Sequence, residues 1–162
     1  MAVPFDRTLG EVGQGWSVAM DILPFERSTA LWHRGAFLYR RLEQLLATGE
    51  AGALAPAEVG EVFQRLYALR ARSRGTQHRL AAGQRLGPET SVDKILLATT
   101  EQGVFDLVAA GLTEDVLLGD DPSSERWRAE FLYSRAATIY GGSAEIQRNI
   151  LARRMLDLGA DR

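Results

Sequence analysis

One stretch near the C-terminus decides how the chain is read: Tyr140-Gly141-Gly142-Ser143-Ala144-Glu145-Ile146-Gln147-Arg148-Asn149-Ile150. Two adjacent glycines break a helical pattern, and a new amphipathic helix starts at Ser143. The first turn of such a helix has N–H groups without intrahelical partners, and its dipole adds partial positive charge, which suits an anion. The pattern predicts a tight corner between two helices, either a plain helix end or a turn that also holds a ligand.

Length and composition indicate one soluble globular domain. The chain has 162 residues, 46% of them hydrophobic and 25% charged, which is enough for one buried core. A formal net charge of -2 gives no electrostatic support to nucleic-acid binding. No apolar run reaches the roughly 18 residues of a membrane-spanning helix, and no signal peptide opens the chain. We expect a cytoplasmic protein that binds neither nucleic acid nor membrane.

Few residue types are left for metal or nucleophilic chemistry. Cysteine is absent, and His33 and His78 are the only histidines. Disulfides, thiolate catalysis and Cys-ligated metals are therefore excluded, and a histidine metal site or Ser-His-Asp triad has little to draw on. We expect no metal site.

Helical periodicity runs through most of the chain. The first helix is predicted from Trp16 to about Thr48, with a stripe of Leu31, Leu38, Leu42 and Leu45. Pro24 should kink this helix or mark its start near Phe25. The second helix is predicted from Pro56 to about Gly83, with a stripe of Val59, Val62, Phe63, Leu66 and Leu69. Before them, Val3-Pro4-Phe5-Asp6 suggests a short extended piece.

Three further helical segments follow. One begins at Gly87-Pro88-Glu89-Thr90-Ser91, has Val92, Ile95, Leu96, Thr99 and Gln102 along one face, and continues through Phe105 and Leu107 towards Leu118. Another runs from Glu125 to Tyr140, with Ser123 or Ser124 as its N-cap. The last follows the glycine pair and has Ile150, Leu151, Met155 and Leu158 on its apolar side. The sequence predicts an all-α fold, an antiparallel four-helix-type bundle with an additional C-terminal helix.

Three motifs resemble the acyl-CoA dehydrogenase family, in that family's order. Residues 131–154, Phe-Leu-Tyr-Ser-Arg-Ala-Ala-Thr-Ile-Tyr-Gly-Gly-Ser-Ala-Glu-Ile-Gln-Arg-Asn-Ile-Leu-Ala-Arg-Arg, resemble its C-terminal signature. Residues 10–16 followed by Phe25-Glu26-Arg27 resemble its passage from the middle β domain into the first C-terminal helix, and residues 87–94 resemble the start of its third bundle helix. The resemblance implies that 1–14 are a remnant of the β domain and linker and 15–162 the C-terminal helical bundle domain.

The resemblance also implies an activity. Family members are flavoproteins, usually tetramers, that remove two hydrogens from Cα and Cβ of an acyl-CoA thioester. A carboxylate takes the α-proton and FAD accepts a hydride from Cβ. We expect an acyl-CoA substrate, FAD as cofactor, homo- or hetero-oligomers with acyl-CoA dehydrogenase-type subunits, and an electron-transfer acceptor.

The position of the catalytic carboxylate separates two groups of the family. Many members carry it directly after the signature tyrosine, where this chain has Gly141. Members resembling isovaleryl-CoA and long-chain acyl-CoA dehydrogenases carry it on the first bundle helix, in a sequence like Phe25-Glu26-Arg27. The resemblance therefore assigns the base to Glu26. From spacing alone, a solvated carboxylate paired with Arg27 or Arg34 is the better explanation of Glu26, and it is the family resemblance together with Gly141 that favours the base.

The remaining site residues are carried over from the same motifs. Arg27, Gly141 and Gly142 would bind substrate. Ser143, Ala144 and Glu145 would bind FAD at the start of the last helix.

Two departures from the family pattern leave a second hypothesis open. Residues 46–54 lack the Arg-Gln-Phe-Gly-like segment that reaches FAD in a neighbouring subunit, and 117–121 lack the usual glycine-rich segment. The chain is thus either the C-terminal domain of an enzyme, inactive alone, or a non-catalytic assembly subunit of a heteromeric dehydrogenase. The sequence leaves open whether it is a fragment or a naturally short subunit.

Overall fold

Five α-helices and two short 3-10 turns make up the described part of the chain. The computed structural model describes residues 4–48, 54–112, 114 and 118–159, without the side chains at 29 and 30. The helices are α1 (Gly15–Ala47), α2 (Pro56–Ala81), α3 (Thr90–Gly111), α4 (Pro122–Ser134) and α5 (Ala144–Arg154). The 3-10 turns are Phe5–Arg7 and Arg135–Thr138. The described residues contain no strand, so the all-α prediction is confirmed.

The first four helices alternate in direction. The rings of Tyr39 on α1 and Phe63 on α2 meet edge-on at 6.1 Å, whereas Gly35 approaches Leu69. The two helices therefore run in opposite directions. Side-chain pairs likewise set α3 parallel to α1 and α4 antiparallel to it: Ser28–Asp93 and Arg34–Glu101 for α3, Arg41–Glu130 and Arg34–Tyr133 for α4.

The leucine stripe of α1 forms much of the core. Leu31, Leu38, Leu42 and Leu45 are all buried, which confirms the prediction for this helix. On α2 the predicted stripe is confirmed at Val62, Leu66 and Leu69, but half of Phe63 remains exposed. Removing such leucines from water supplies the main favourable free energy of folding.

Helix α3 is the centre of the bundle, and Phe105 and Leu107, through which the helix was predicted to continue, are buried. It contacts α1, α2, α4, α5 and the second 3-10 turn. Val92, Ile95, Leu96, Thr99 and Gln102 are only partly buried. Three charged side chains, Asp93, Lys94 and Glu101, are almost fully buried instead. Arg72 of α2 pairs with Asp93 and Arg34 of α1 pairs with Glu101, and helical periodicity within α3 does not reveal these partners.

Helix ends required further corrections. The N-cap of α4 is Asp121 rather than a serine, because its carboxylate accepts from the N–H groups of Ser123 (2.8 Å) and Ser124 (3.3 Å). Helix α4 ends at Ser134 rather than Tyr140, and a 3-10 turn continues the path. At α5 the predicted start is confirmed: Ser143 is the N-cap, and its Oγ accepts from the N–H of Ile146.

The N-terminal segment also differs from the prediction. Phe5–Arg7 is an exposed 3-10 turn, although Pro4 is extended. Helix α1 begins at Gly15 and passes through Pro24 rather than starting near Phe25. The predictions for the 49–53 linker and for most of 113–117 lie outside the described residues. In the described part of the chain, no helix is long and apolar enough to cross a membrane.

Candidate functional site

The glycine corner lies between the second 3-10 turn and α5, and both glycines are required there. Gly141 has a φ of +65° and Gly142 a φ of +93°, a region that L side chains rarely adopt. A Cβ on Gly142 would lie 2.5 Å from Nε2 of Gln147. The break in the helical pattern is therefore a backbone requirement as well as a turn.

The carboxylate of Glu26 lies at this corner, although 115 positions of sequence separate the two. A Cβ on Gly141 would lie 3.4 Å from each carboxylate oxygen of Glu26. Within the described residues, Glu26 has no hydrogen bond and no ion pair; Arg34, an expected partner, binds Glu101 instead. A side chain larger than hydrogen at position 141 would thus compete with the Glu26 carboxylate for space.

A buried hydrogen-bond network holds α1 near Glu26. Ser28 donates to Oδ2 of Asp93 on α3 at 3.3 Å, and Thr76 of α2 donates to the same oxygen at 3.3 Å. Nε of Arg72 donates to Oδ1 of Asp93 at 2.8 Å. Asp93 therefore joins three helices, and its contact with α1 at Ser28 is two residues from Glu26, which fixes the backbone position of Glu26.

Lys94 and Tyr140 form the inner wall beside the corner. Nζ of Lys94 donates to the carbonyl of Ala137 at 2.8 Å and lies 3.8 Å from the ring centroid of Tyr140. Burial lowers the pKa of Lys94, while the charges of Glu26 and Glu101 raise it. Burial, with Glu101, raises the pKa of Tyr140 to about 12. Lys94 is thus a buried cation near the Glu26 carboxylate, and Tyr140 stays protonated.

Arg27 follows Glu26 and is partly buried. Its Nε is buried, and among the described residues no group accepts a hydrogen bond from it. Burial lowers the pKa of Arg27, the charge of Glu26 raises it, and the charge of Arg154 lowers it further. The guanidinium therefore has donor capacity available to a ligand anion.

The three residues at the start of α5 lie together on the first turn. Ser143 caps the helix, Ala144 is partly buried and Glu145 is exposed. The backbone N–H of Glu145 and the hydroxyl of Ser143 lower the pKa of the Glu145 carboxyl. A cavity of about 290 Å³, bounded by Lys94, Gly142 and this turn, opens between α3 and α5.

Gln147 belongs to the corner, and the sequence reading did not assign it a role. Its side chain is fully buried, and Nε2 donates to the carbonyls of Gly141 (3.0 Å) and Gly142 (3.3 Å). The signal available in the sequence was its spacing, because Gln147 lies three and four residues before Ile150 and Leu151 on the predicted apolar side of α5.

A larger groove of about 570 Å³ lies between α1 and α2. Its walls include Trp32, Tyr39 and Arg70 but none of the predicted site residues. The structure therefore brings Glu26, Arg27 and the glycine corner together and leaves this groove separate from them.

Comparison with known proteins identifies the family. The sequence model of "Acyl-CoA dehydrogenase, C-terminal domain" matches residues 13–156. The chain is 33% identical over 158 residues to acyl-CoA dehydrogenase IpdE1 of Mycobacterium tuberculosis (strain ATCC 25618 / H37Rv), covering 94% of this chain and 40% of that protein. It is 32% identical over 160 residues to acyl-CoA dehydrogenase IpdE1 of Mycolicibacterium smegmatis (strain ATCC 700084 / mc(2)155), covering 93% and 38%.

In the described residues, the matched segment consists of helices and connecting turns without a strand, in agreement with the family's C-terminal domain, and the chain spans about two-fifths of the length of these relatives. The chain belongs to the acyl-CoA dehydrogenase family, as a C-terminal domain of that family.

Proposed function

We propose that this chain is the C-terminal domain of an FAD-dependent acyl-CoA dehydrogenase and that Glu26 is its catalytic base. The observation that carries the proposal is the position of the Glu26 carboxylate, whose oxygens lie 3.4 Å from the site of a Cβ on Gly141. A base on the first bundle helix and a base after the signature tyrosine would thus reach the same place. Relatives named as acyl-CoA dehydrogenases support the reaction class.

The corner has the groups that FAD and an acyl-CoA thioester require. Neither Gly141 nor Gly142 has a side chain in the way, and within the described residues nothing accepts from the N–H groups of Gly142 and Ser143. Ser143, Ala144 and Glu145 would hold FAD; Arg27, Gly141 and Gly142 would hold the substrate. Bound FAD supplies the hydride acceptor for the reaction.

The chain's own residues would then act on the α-carbon. The Glu26 carboxylate would take the α-proton, and the electron pair of the Cα–H bond would form the Cα–Cβ double bond while the β-hydrogen left with its electron pair to the acceptor that FAD would supply. Enclosing a carboxylate between substrate and flavin removes its hydration and makes it a stronger base. Backbone N–H groups at the corner polarise the thioester carbonyl and stabilise the developing enolate.

Replacing Glu26 with glutamine in the intact dehydrogenase tests the proposal. Glutamine keeps the shape but cannot accept the proton, so kcat should fall about 1,000-fold, within the range for a lost general base. Asp21→Asn, an exposed acid on the same helix, is the matched control and should keep normal turnover. Flavin absorbance and the far-UV spectrum should stay unchanged in both variants. Full activity of Glu26→Gln would remove Glu26 from the mechanism.

Moving the carboxylate provides a second test of the same geometry. In a Glu26→Gln background, Gly141→Glu returns a carboxylate to the corner from the other side. Turnover should rise above that of Glu26→Gln alone, although the positive φ at position 141 will strain the new side chain. Gly141→Gln in the same background is the control without a base.

A second candidate is a non-catalytic assembly subunit. The exposed apolar residues of the last helix and the turn after it favour it, since Ile146, Met155 and Leu158 are 51%, 49% and 70% exposed. The missing flavin-reaching segment in 46–54 points the same way. The purified chain alone should be colourless in either case. Addition of a flavin-bearing partner subunit separates the two candidates. If the chain is an enzyme domain, Glu26→Gln lowers turnover of the complex. If it is an assembly subunit, the same substitution leaves turnover unchanged.

A further inference from the structure

Gln147 has no role in the family comparison or in the proposed mechanism. Gln147 lies on α5, is fully buried, and touches both peptide groups of the glycine corner. Its Nε2 donates one hydrogen bond to the carbonyl of Gly141 at 3.0 Å and one to the carbonyl of Gly142 at 3.3 Å. One amide group therefore uses both of its N–H bonds on two consecutive peptides.

The direction of two backbone N–H groups follows from these bonds. A trans peptide points its N–H opposite to its C=O, and the described residues contain no cis peptide. With the Gly141 and Gly142 carbonyls turned towards Gln147, the N–H groups of Gly142 and Ser143 point away from it. In the described part of the chain, neither N–H has an acceptor.

Stability alone does not account for an amide in this position. Oε1 of Gln147 is buried without a hydrogen-bond partner among the described residues, which costs free energy that an apolar side chain of similar size would not lose. The fit is close as well, since a Cβ on Gly142 would lie 2.5 Å from Nε2. The Gln147 side chain thus fits in this position because residue 142 has no Cβ.

We propose that Gln147 is a positioning residue, which turns the N–H groups of Gly142 and Ser143 towards a carbonyl or phosphate oxygen of the bound ligand. The proposal rests on the proposed dehydrogenase function. It adds to that function a group that touches neither the substrate nor the reacting atoms and acts through the backbone.

The test uses the intact dehydrogenase with Gln147→Leu and Gln147→Glu. Leucine removes both donors, and glutamate keeps the shape but places acceptor oxygens against the two carbonyls. Both variants should lower kcat about 100-fold with KM little changed, the effect of a misaligned reacting group. Gln102→Leu is the control, because Gln102 donates to the carbonyl of Ser134 (3.5 Å) and Oγ1 of Thr138 (3.4 Å), not to the corner.

Two readouts besides activity identify the ligand oxygen. The carbonyl stretch of bound acyl-CoA, measured by difference infrared spectroscopy, should move towards that of free thioester in the Gln147 variants if the N–H groups face the substrate. If they face the cofactor, the stretch stays and the FAD dissociation constant rises. Either shift supports the positioning role. A folded variant with unchanged kcat, stretch and FAD affinity would overturn it.

Failure of this inference is distinguishable from failure of the proposed function. An active Glu26→Gln enzyme rejects the function whatever Gln147 does. An inactive Glu26→Gln enzyme beside wild-type-like Gln147 variants rejects only the positioning role. If Gln147→Leu does not fold, the isosteric Gln147→Glu decides the question with the same readouts.

Discussion

Two carboxylates in this domain lie close together and have opposite environments. Asp93 is 1% exposed and accepts hydrogen bonds from Ser28, Thr76 and Arg72, which come from two other helices. Glu26, two residues before Ser28 on α1, is exposed at the glycine corner and its side chain has no hydrogen bond or ion pair within the described residues. The first carboxylate is fully satisfied by the protein, and the second is not.

This contrast separates a structural acid from a chemically available one. Both oxygens of Asp93 accept hydrogen bonds from the protein, so this carboxylate has no acceptor position left for a ligand. A carboxylate without such partners has acceptor positions open to a ligand bound at the corner. The hydrogen bonds of Asp93 hold α1 in place, and α1 carries Glu26. The buried acid therefore fixes the position of the exposed one.

The largest effect on stability should come from Asp93→Ala. The change leaves the buried hydroxyls of Ser28 and Thr76 without an acceptor and removes the partner of Arg72, so the free energy of unfolding should fall by about 3 kcal/mol. Glu26→Gln should change it by less than about 0.5 kcal/mol. Urea unfolding of the purified chain, followed by circular dichroism, measures both.

Either of two results would contradict the contrast between Asp93 and Glu26. An equally large loss for Glu26→Gln would make Glu26 a structural acid and weaken its assignment as the base. A negligible loss for Asp93→Ala would show that the network does not hold α1 in place.

A smaller effect should appear at high pH, through Tyr140. Its pKa is about 12 in the folded chain and about 10 when unfolded, so the tyrosinate is disfavoured by folding. The resulting stabilisation is complete below pH 10 and is lost as the pH rises from about 10 to about 12. Because Tyr140 is only partly buried, we expect about 1 kcal/mol rather than the full linkage value.

Tyr140→Phe isolates this contribution. The difference in unfolding free energy between wild type and variant should shrink above pH 10 by that amount. An unchanged difference would show that the corner accepts another negative charge beside Glu26 and Glu101 without penalty.

The smallest effect should come from the exposed ion pair of Glu61 and Arg65 on α2. Their side chains are 62% and 41% exposed, and exposed pairs one turn apart contribute about 0.3–0.5 kcal/mol. Glu61→Gln should therefore lower the unfolding free energy by no more than that in the same urea assay. A loss as large as that of Asp93→Ala would show that burial is not what makes the Asp93 network strong.

The bundle was largely predictable from sequence, because its outer helices bury simple stripes. The spacing of Leu31, Leu38, Leu42 and Leu45 indicated the buried face of α1 directly. The start of α5 at Ser143 followed from the glycine pair. The meeting of Glu26 and Gly141 was not visible in any local pattern. It entered only through the resemblance to the family, and the catalytic role of Glu26 stays a prediction.

The features that local sequence patterns do not predict lie in α3 and at the glycine corner. Periodicity assigns Asp93 and Glu101 to the surface, because it cannot include arginines supplied by α1 and α2. Gln147 was missed for a related reason: its partners are backbone carbonyls of a turn. Serines at the start of α4 appeared equally good caps, but Asp121 precedes Pro122 and has the stronger acceptor.

Lys94 has a practical consequence for following how the domain opens. It is the only lysine in the chain, since the other 18 of the 19 lysine and arginine residues are arginines. It lies on the central helix and is 4% exposed. A protease that cuts only after lysine has one target peptide bond, enclosed by four neighbouring helices. Cleavage therefore requires α3 to leave the bundle, and its rate reports the population of the opened domain rather than fraying at either end.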